Sequence, residues 1–234
     1  MTVTAILVVI AGIVAGYVVW RTKNRVQIEF DIHINKEAIY LSTYAEPPQF
    51  AIWLESPADG RREPVFVTYR GGRGDWEGKA DVPVAIPCWT TVFSDNLQAE
   101  NDAVSGATPK EEYFRVRIEV HPGSEWICRI EMNLAGDYNE FYPQFNRITH
   151  EEDEFSCGQP ALLYRADIKA DEGNSYNLRL DAMSLWKEGK NVLLPPDSTI
   201  TSAQYVFDEI NVRIVKPKPV IINLKNVEQQ DVLK

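Results

Sequence analysis

Between Val26 and Val215 apolar residues return at every second position in one short run after another, and that period is what most constrains the fold. In the first run Val26, Ile28, Phe30, Ile32 and Ile34 alternate with Gln27, Glu29, Asp31 and His33. This is the pattern of a strand with one face on a core and the other in water, and it puts His33 on the solvated side. Phe114 to Val120 and Trp126 to Leu134 repeat it on either side of His121-Pro122-Gly123-Ser124, which predicts a hairpin. Gln49 to Leu54 and Pro64 to Tyr69 flank Ser56-Pro57-Ala58-Asp59-Gly60, whose Asp-Gly pair tolerates positive φ and predicts another. Leu162 to Ala170, Tyr176 to Ala182 and Tyr205 to Val215 add further strands, bounded by Gly173-Asn174-Ser175 and Leu194-Pro195-Pro196-Asp197, and Ser184 to Gly189 reads as one short helical turn. At least seven short strands with no long helical period predict an all-β chain, an immunoglobulin-like β-sandwich over residues 26–215. No internal repeat divides it. Lys216-Pro217-Lys218-Pro219 then opens an extended tail, 216–234.

Ahead of the first strand the period disappears. Val3 to Trp20 is an uncharged apolar run closed by Arg21, Lys23 and Arg25. At about 1.5 Å per residue, roughly 18 to 20 residues span a hydrocarbon core of about 30 Å, so residues 1–22 are expected to form one transmembrane helix in the lipid bilayer. A cleaved signal peptide fits less well, because no Lys or Arg precedes the run and no A-x-A site follows it. Tyr17 and Trp20 sit where amphipathic rings favour the membrane interface. Ala11-Gly12 and Ala15-Gly16 put small residues four apart, a spacing that lets a neighbouring helix approach closely. All the flanking positive charge follows the helix, which by the positive-inside rule alone leaves the body in the cytoplasm.

The formal net charge of −10 disfavours nucleic acid, since phosphate backbones are bound by clustered Lys and Arg. Cys88, Cys128 and Cys157 form no C-x-x-C pair, which excludes zinc-ribbon and thioredoxin motifs and leaves room for one disulfide at most. There is no G-x-S-x-G elbow and no H-E-x-x-H, and the three histidines are scattered; the chain is expected not to be an enzyme. The glycine-rich stretch Arg70 to Gly78 lacks the Lys-Ser/Thr of a phosphate loop, and the Arg73-Gly74-Asp75 triplet inside it is a chance match to an adhesion tripeptide. Pro83, Pro87 and Trp89 make an irregular, aromatic-anchored crossing. Glu151-Glu152-Asp153-Glu154, beside His150, offers oxygen ligands for a hard cation together with Asp137 and Glu140, though charge runs of this kind are most often solvated loops.

One stretch carries residue types that suggest chemistry. Asp102-Ala103-Val104-Ser105-Gly106-Ala107-Thr108 resembles the flavinylation motif Asp-x-x-Ser/Thr-Gly-Ala-Thr of FMN-binding domains in the sodium-pumping NADH:quinone reductase and in the related Rnf complex. In those domains a flavin transferase links FMN through its phosphate to the final threonine. The resemblance therefore implies Thr108 as acceptor hydroxyl, Ser105 and the small residues beside it as room for the transferase, and Asp102 as an acid that positions the donor. The other blocks of an FMN-binding domain are missing, and Pro109 follows the acceptor directly. Without the resemblance, Ser-Gly and Thr-Pro form a tight connection into the strand at Phe114.

A second resemblance spans more of the chain. Phe50-Ala51-Ile52-Trp53-Leu54-Glu55, the Asp102 to Lys110 stretch, Gly136-Asp137-Tyr138-Asn139-Glu140 and Gly158-Gln159-Pro160-Ala161-Leu162-Leu163-Tyr164 are similar to the blocks of an uncharacterised family of β-sandwich proteins predicted to be periplasmic and often encoded near flavin transferases and membrane redox proteins. It implies an extracytoplasmic body on the inner membrane, against the charge rule. The expectation is a non-enzymatic, membrane-anchored accessory subunit of a photosynthetic or respiratory electron-transfer complex. Its partners would be integral membrane subunits, with no cofactor of its own. The alternative is a redox carrier with covalent FMN on Thr108.

Overall fold

The computed structural model describes residues 2–73, 85–93, 104–106, 109, 111–151, 157–187 and 189–217. Helix α1 (Thr2–Asn24) comes first, and its described apolar side chains are exposed, Ile6, Val8, Ile13 and Trp20 among them. Counted over the described residues alone, no helix is long and apolar enough to cross a membrane; several side chains of the apolar run at 3–20 lie outside that set.

After Arg25 the period-two sequence becomes two stacked sheets. Strand β1 (Val26–Ile34) runs away from the α1 junction, and the short helix α2 (Lys36–Tyr40) turns the chain into β2 (Gln49–Glu55) and β3 (Arg62–Thr68). Asn35 caps α2, its Oδ1 accepting from the Glu37 and Ala38 amides. Next come α3 (Tyr69–Arg73), α4 (Pro87–Phe93), β4 (Val104–Gly106), β5 (Tyr113–Val120), β6 (Glu125–Asn133), β7 (Ala161–Lys169), β8 (Ser175–Asn177), β9 (Arg179–Lys187), β10 (Lys190–Leu194), a 3-10 turn (Ala203–Tyr205) and β11 (Phe207–Val215). The smaller sheet has the order β5-β1-β11-β8 and the larger β10-β9-β7-β6-β2-β3-β4. Pairing is antiparallel except between β3 and β4. Phe30, Phe50, Ile130 and Val212 belong to the core between the sheets, all fully buried.

Three sequence expectations change. The turn at 121–124 does not close a hairpin, because β5 pairs with β1 in one sheet and β6 with β2 and β7 in the other. Both strands turn their apolar face to the same core, and the Gly123 amide is held by the Ala170 carbonyl instead. The helical turn expected from Ser184 is replaced by strand: β9 continues through residues 184–187 and pairs back on β10. The irregular crossing at Pro83 to Trp89 becomes, from Pro87, helix α4. The hairpin at 56–60 is present, with the Ser56 amide donating to the Arg61 carbonyl and Gly60 at φ +71°. Residues 74–78 of the glycine-rich stretch, residues 152–154 and the tail from residue 218 lie outside the described residues.

The strand directions give the sandwich two unlike ends. Val26, Val120, Glu125, Lys169 and Val215 gather at the end next to α1, which we call proximal. Ile34, Gln49, Tyr113, Asn133, Ala161 and Phe207 gather at the other, distal end. The flavinylation-like stretch connects to that distal end.

Candidate functional site

Val104–Gly106 is the short strand β4, added parallel to the outer edge of β3 with Ser105 opposite Val67 and Gly106 opposite Thr68. A side chain on Gly106 would put its Cβ 2.9 Å from the Phe66 ring, so close packing of this strand over β3 demands glycine there. Thus the Ser-Gly pair of the motif serves the sheet. Asp102 and Thr108 lie outside the described residues, as does the Ser105 side chain. Pro109, one residue past the candidate acceptor, lines an open cavity of about 260 Å³ with Ile34, Ile39, Tyr40, Pro47 and Glu111.

Beside this cavity the loops of the distal end are tied together by a buried polar network. Asp137 is buried after β6, and its Oδ1 accepts from the Gln159 amide at 2.8 Å while its Oδ2 accepts from Gln159 Nε2 at 3.0 Å. Gln159 Nε2 also donates to the Ser202 hydroxyl at 2.7 Å, and its Oε1 accepts from the Thr201 amide at 2.6 Å. Asn139 extends the network, donating to the Thr199 carbonyl and accepting from the Phe141 and Tyr142 amides. Burial pushes the Asp137 carboxyl up to about 8, against the opposing pull of the Gln159 amide. Two glycines in the resembling blocks have their reason here. Gly158 (φ +112°) lies so close to Asp137 that a Cβ would overlap Oδ1, and Gly136 (φ +73°) would set a Cβ 2.5 Å from the Tyr44 ring. As a cation ligand Asp137 is a poor candidate, because both its oxygens are engaged by Gln159. Among the described residues no group of His, Cys, Asp or Glu is placed to hold a metal ion.

The second buried carboxylate is one the sequence hides. Glu131 stands at a nominally polar position of β6, yet it is fully buried, because α4 packs over that face of the larger sheet. Its Oε1 accepts from the Cys88 amide at 2.9 Å and its Oε2 from the Trp89 amide at 2.6 Å. Around it Trp53, Val67, Ile86, Trp89 and Phe93 form a second hydrophobic cluster, with the Trp89 and Phe93 rings 4.1 Å apart. Burial raises the Glu131 carboxyl to about 7, opposed by hydrogen bonding from Ser184 and the two amides. The sequence did carry a signal: Phe50-Ala51-Ile52-Trp53-Leu54 is apolar at every position, the mark of a strand buried on both faces.

Other candidates are spent on structure. All three cysteines are buried and none forms a disulfide. Burial first, and the Glu131 charge second, push the Cys88 thiol up to about 12, and burial raises Cys128, so neither is an activated thiolate. His33 pairs with Asp208 at 2.5 Å on the outer face of the smaller sheet. Next to it Arg115, Arg117 and Arg213 bracket Glu29 and Asp31, so both acids of that face are engaged in ion pairs. Comparison with protein-family models, curated proteins and solved structures finds no match for this chain.

Proposed function

We propose that the protein is a non-enzymatic extrinsic subunit, tethered to the inner membrane by α1, with an immunoglobulin-like sandwich that braces neighbouring subunits of a membrane electron-transfer assembly, photosynthetic or respiratory. The observation that carries this reading is the junction itself: a 23-residue helix with exposed apolar side chains passes within two residues into the first core strand. An exposed helix of that kind needs lipid or other helices around it. The buried acids of the sandwich support a scaffold, since Glu131 holds α4 and Asp137 holds the Gln159 loop. Extraction in mild detergent, followed by a native gel and mass spectrometry, tests it. Comigration with stoichiometric membrane subunits is expected, and a chain that runs alone refutes it. Protease protection in sealed vesicles then reads the side of the body, for which the periplasm is the expectation.

A redox carrier with FMN on Thr108 is the second reading. In its favour, the residue after the acceptor lines an open cavity that has the exposed ring of Tyr40 on its wall. Intact mass from cells that contain a flavin transferase decides it: an unmodified chain, or flavin fluorescence retained in Thr108→Ala, removes the reading.

A further inference from the structure

The two ends of the sandwich present different chemistry to solvent. Among the described residues no Val, Leu, Ile, Phe, Tyr or Trp side chain of the sandwich is exposed at the proximal end. At the distal end Tyr40, Leu41, Phe141, Phe145, Ile148 and Tyr205 are all exposed, Tyr40 at 70%, Leu41 at 79% and Ile148 at 89%. These residues come from three loops that the structure ties together. The Thr43 amide donates to the Gly136 carbonyl, the Tyr44 and Tyr138 hydroxyls meet at 3.2 Å, Asn139 bonds Thr199, and the Asn35 amide donates to the Val206 carbonyl. The apolar loop is also shaped in advance. Asn139 Oδ1 accepts from two amides at the base of Phe141, and Asn146 Oδ1 accepts from the Ile148 and Thr149 amides. Exposed apolar side chains on a loop already ordered lose little conformational entropy when a partner covers them.

Charge selects the partner. Around this rim Lys36 pairs with Glu112 and Arg70 with Glu46. Glu37, Glu111, Glu140 and Glu151 are exposed, with no ion pair to them among the described residues, and Arg147 is the one cation of the same standing in the apolar loop. A surplus of acids repels an anionic bilayer surface. It also opposes a two-fold contact with a second copy, which would face the acids with themselves.

We propose that the distal rim is a docking surface for a protein partner whose apolar pockets are ringed by Lys and Arg. The nine residues of β1, at about 3.3 Å each, set this contact roughly 30 Å from the α1 junction. The partner surface is therefore extramembranous. The inference rests on the scaffold reading for the partner's membership of the same assembly.

The test places a photo-crosslinking amino acid at Ile148 and, as a proximal control, at Asp59 of the full-length chain in its native membranes. The expected result is one protein adduct from Ile148 and none from Asp59, with the crosslinked partner peptide lying beside Lys or Arg. Its yield should fall at least tenfold in Glu37→Lys/Glu140→Lys, with an unchanged melting temperature. Adducts to lipid, to a second copy of the chain or equally from both positions overturn the proposal, as do no adduct and a yield indifferent to the charge reversal. Comigration on the native gel without a rim adduct would sink the docking surface and leave the scaffold intact, whereas a chain running alone sinks the scaffold.

Discussion

Replacing Glu131 with Gln should remove a pH dependence of folding whose size follows from the structure. In the native state burial lifts this carboxyl from an ordinary 4.5 to about 7, so between those values the folded chain binds a proton that the unfolded chain has released. The stabilisation is fully present below about 4.5 and is lost as pH rises through 7. Linkage with those two values gives roughly 2 to 3 kcal/mol of difference between pH 5 and pH 8. Gln keeps the size of the side chain and one acceptor for the Cys88 and Trp89 amides but cannot titrate. The stability of the native chain minus that of Glu131→Gln should therefore be roughly 2 to 3 kcal/mol more favourable at pH 5 than at pH 8. In a domain of this size that corresponds to roughly 5 to 10 °C in melting temperature. Asp137, raised in the same direction, is present in both proteins and cancels in the difference. Urea unfolding followed by tryptophan fluorescence at pH 5, 6, 7 and 8, in detergent, measures it. Curves that stay parallel within about 0.5 kcal/mol would show that Glu131 is not held in the environment described.

Three further substitutions probe the packing. Trp89→Ala empties the centre of the cluster under α4 and should cost about 3 to 5 kcal/mol in chemical denaturation; a loss below about 1 kcal/mol would mean that α4 does not cover the sheet. Gly106→Ala forces the Phe66 ring to shift, so a loss of about 1 to 3 kcal/mol is expected, and a neutral result would remove β4 from the edge of β3. Gly136→Ala adds a Cβ against Tyr44 at a positive φ and should destabilise by about 2 kcal/mol or more, read as a fall in melting temperature. The cysteines are expected to resist an aqueous thiol reagent in the native protein and to react on unfolding; rapid native labelling of Cys88 would contradict its burial.

Much of the β architecture was legible because each strand carries its own evidence. Val26–Ile34 alternates without a break, and one face of the strand is buried as the alternation requires. Asp59-Gly60 carries its turn in its residue types. The hairpin expected of β5 and β6 was a different matter, since an alternating pattern says which face meets a core but not which sheet supplies it. The short helices α2 and α4 left no trace for the related reason that five to seven residues are too few to show a helical period.

The candidate site was legible in part. The glycines and polar residues of Gly136-Asp137-Tyr138-Asn139 and Gly158-Gln159 stood out as blocks, but the bond from Asp137 to Gln159 joins residues 22 apart in sequence. Glu131 was hidden at its own position, where alternation predicts water, and only the all-apolar run Phe50 to Leu54 on the neighbouring strand pointed to a covered outer face.

By itself the sequence determined the strands, the turn at Asp59-Gly60, the apolar run before Arg21 and the absence of a familiar catalytic set, because each depends on the order of neighbours along the chain. The tertiary structure alone decided that the larger sheet is buried on both faces where α4 covers it, that Glu131 is taken out of water to hold α4 and Asp137 to hold a loop, and that the exposed apolar side chains collect at the end far from α1. Those properties arise only when residues distant in sequence exclude solvent from one another, and no local pattern records that exclusion.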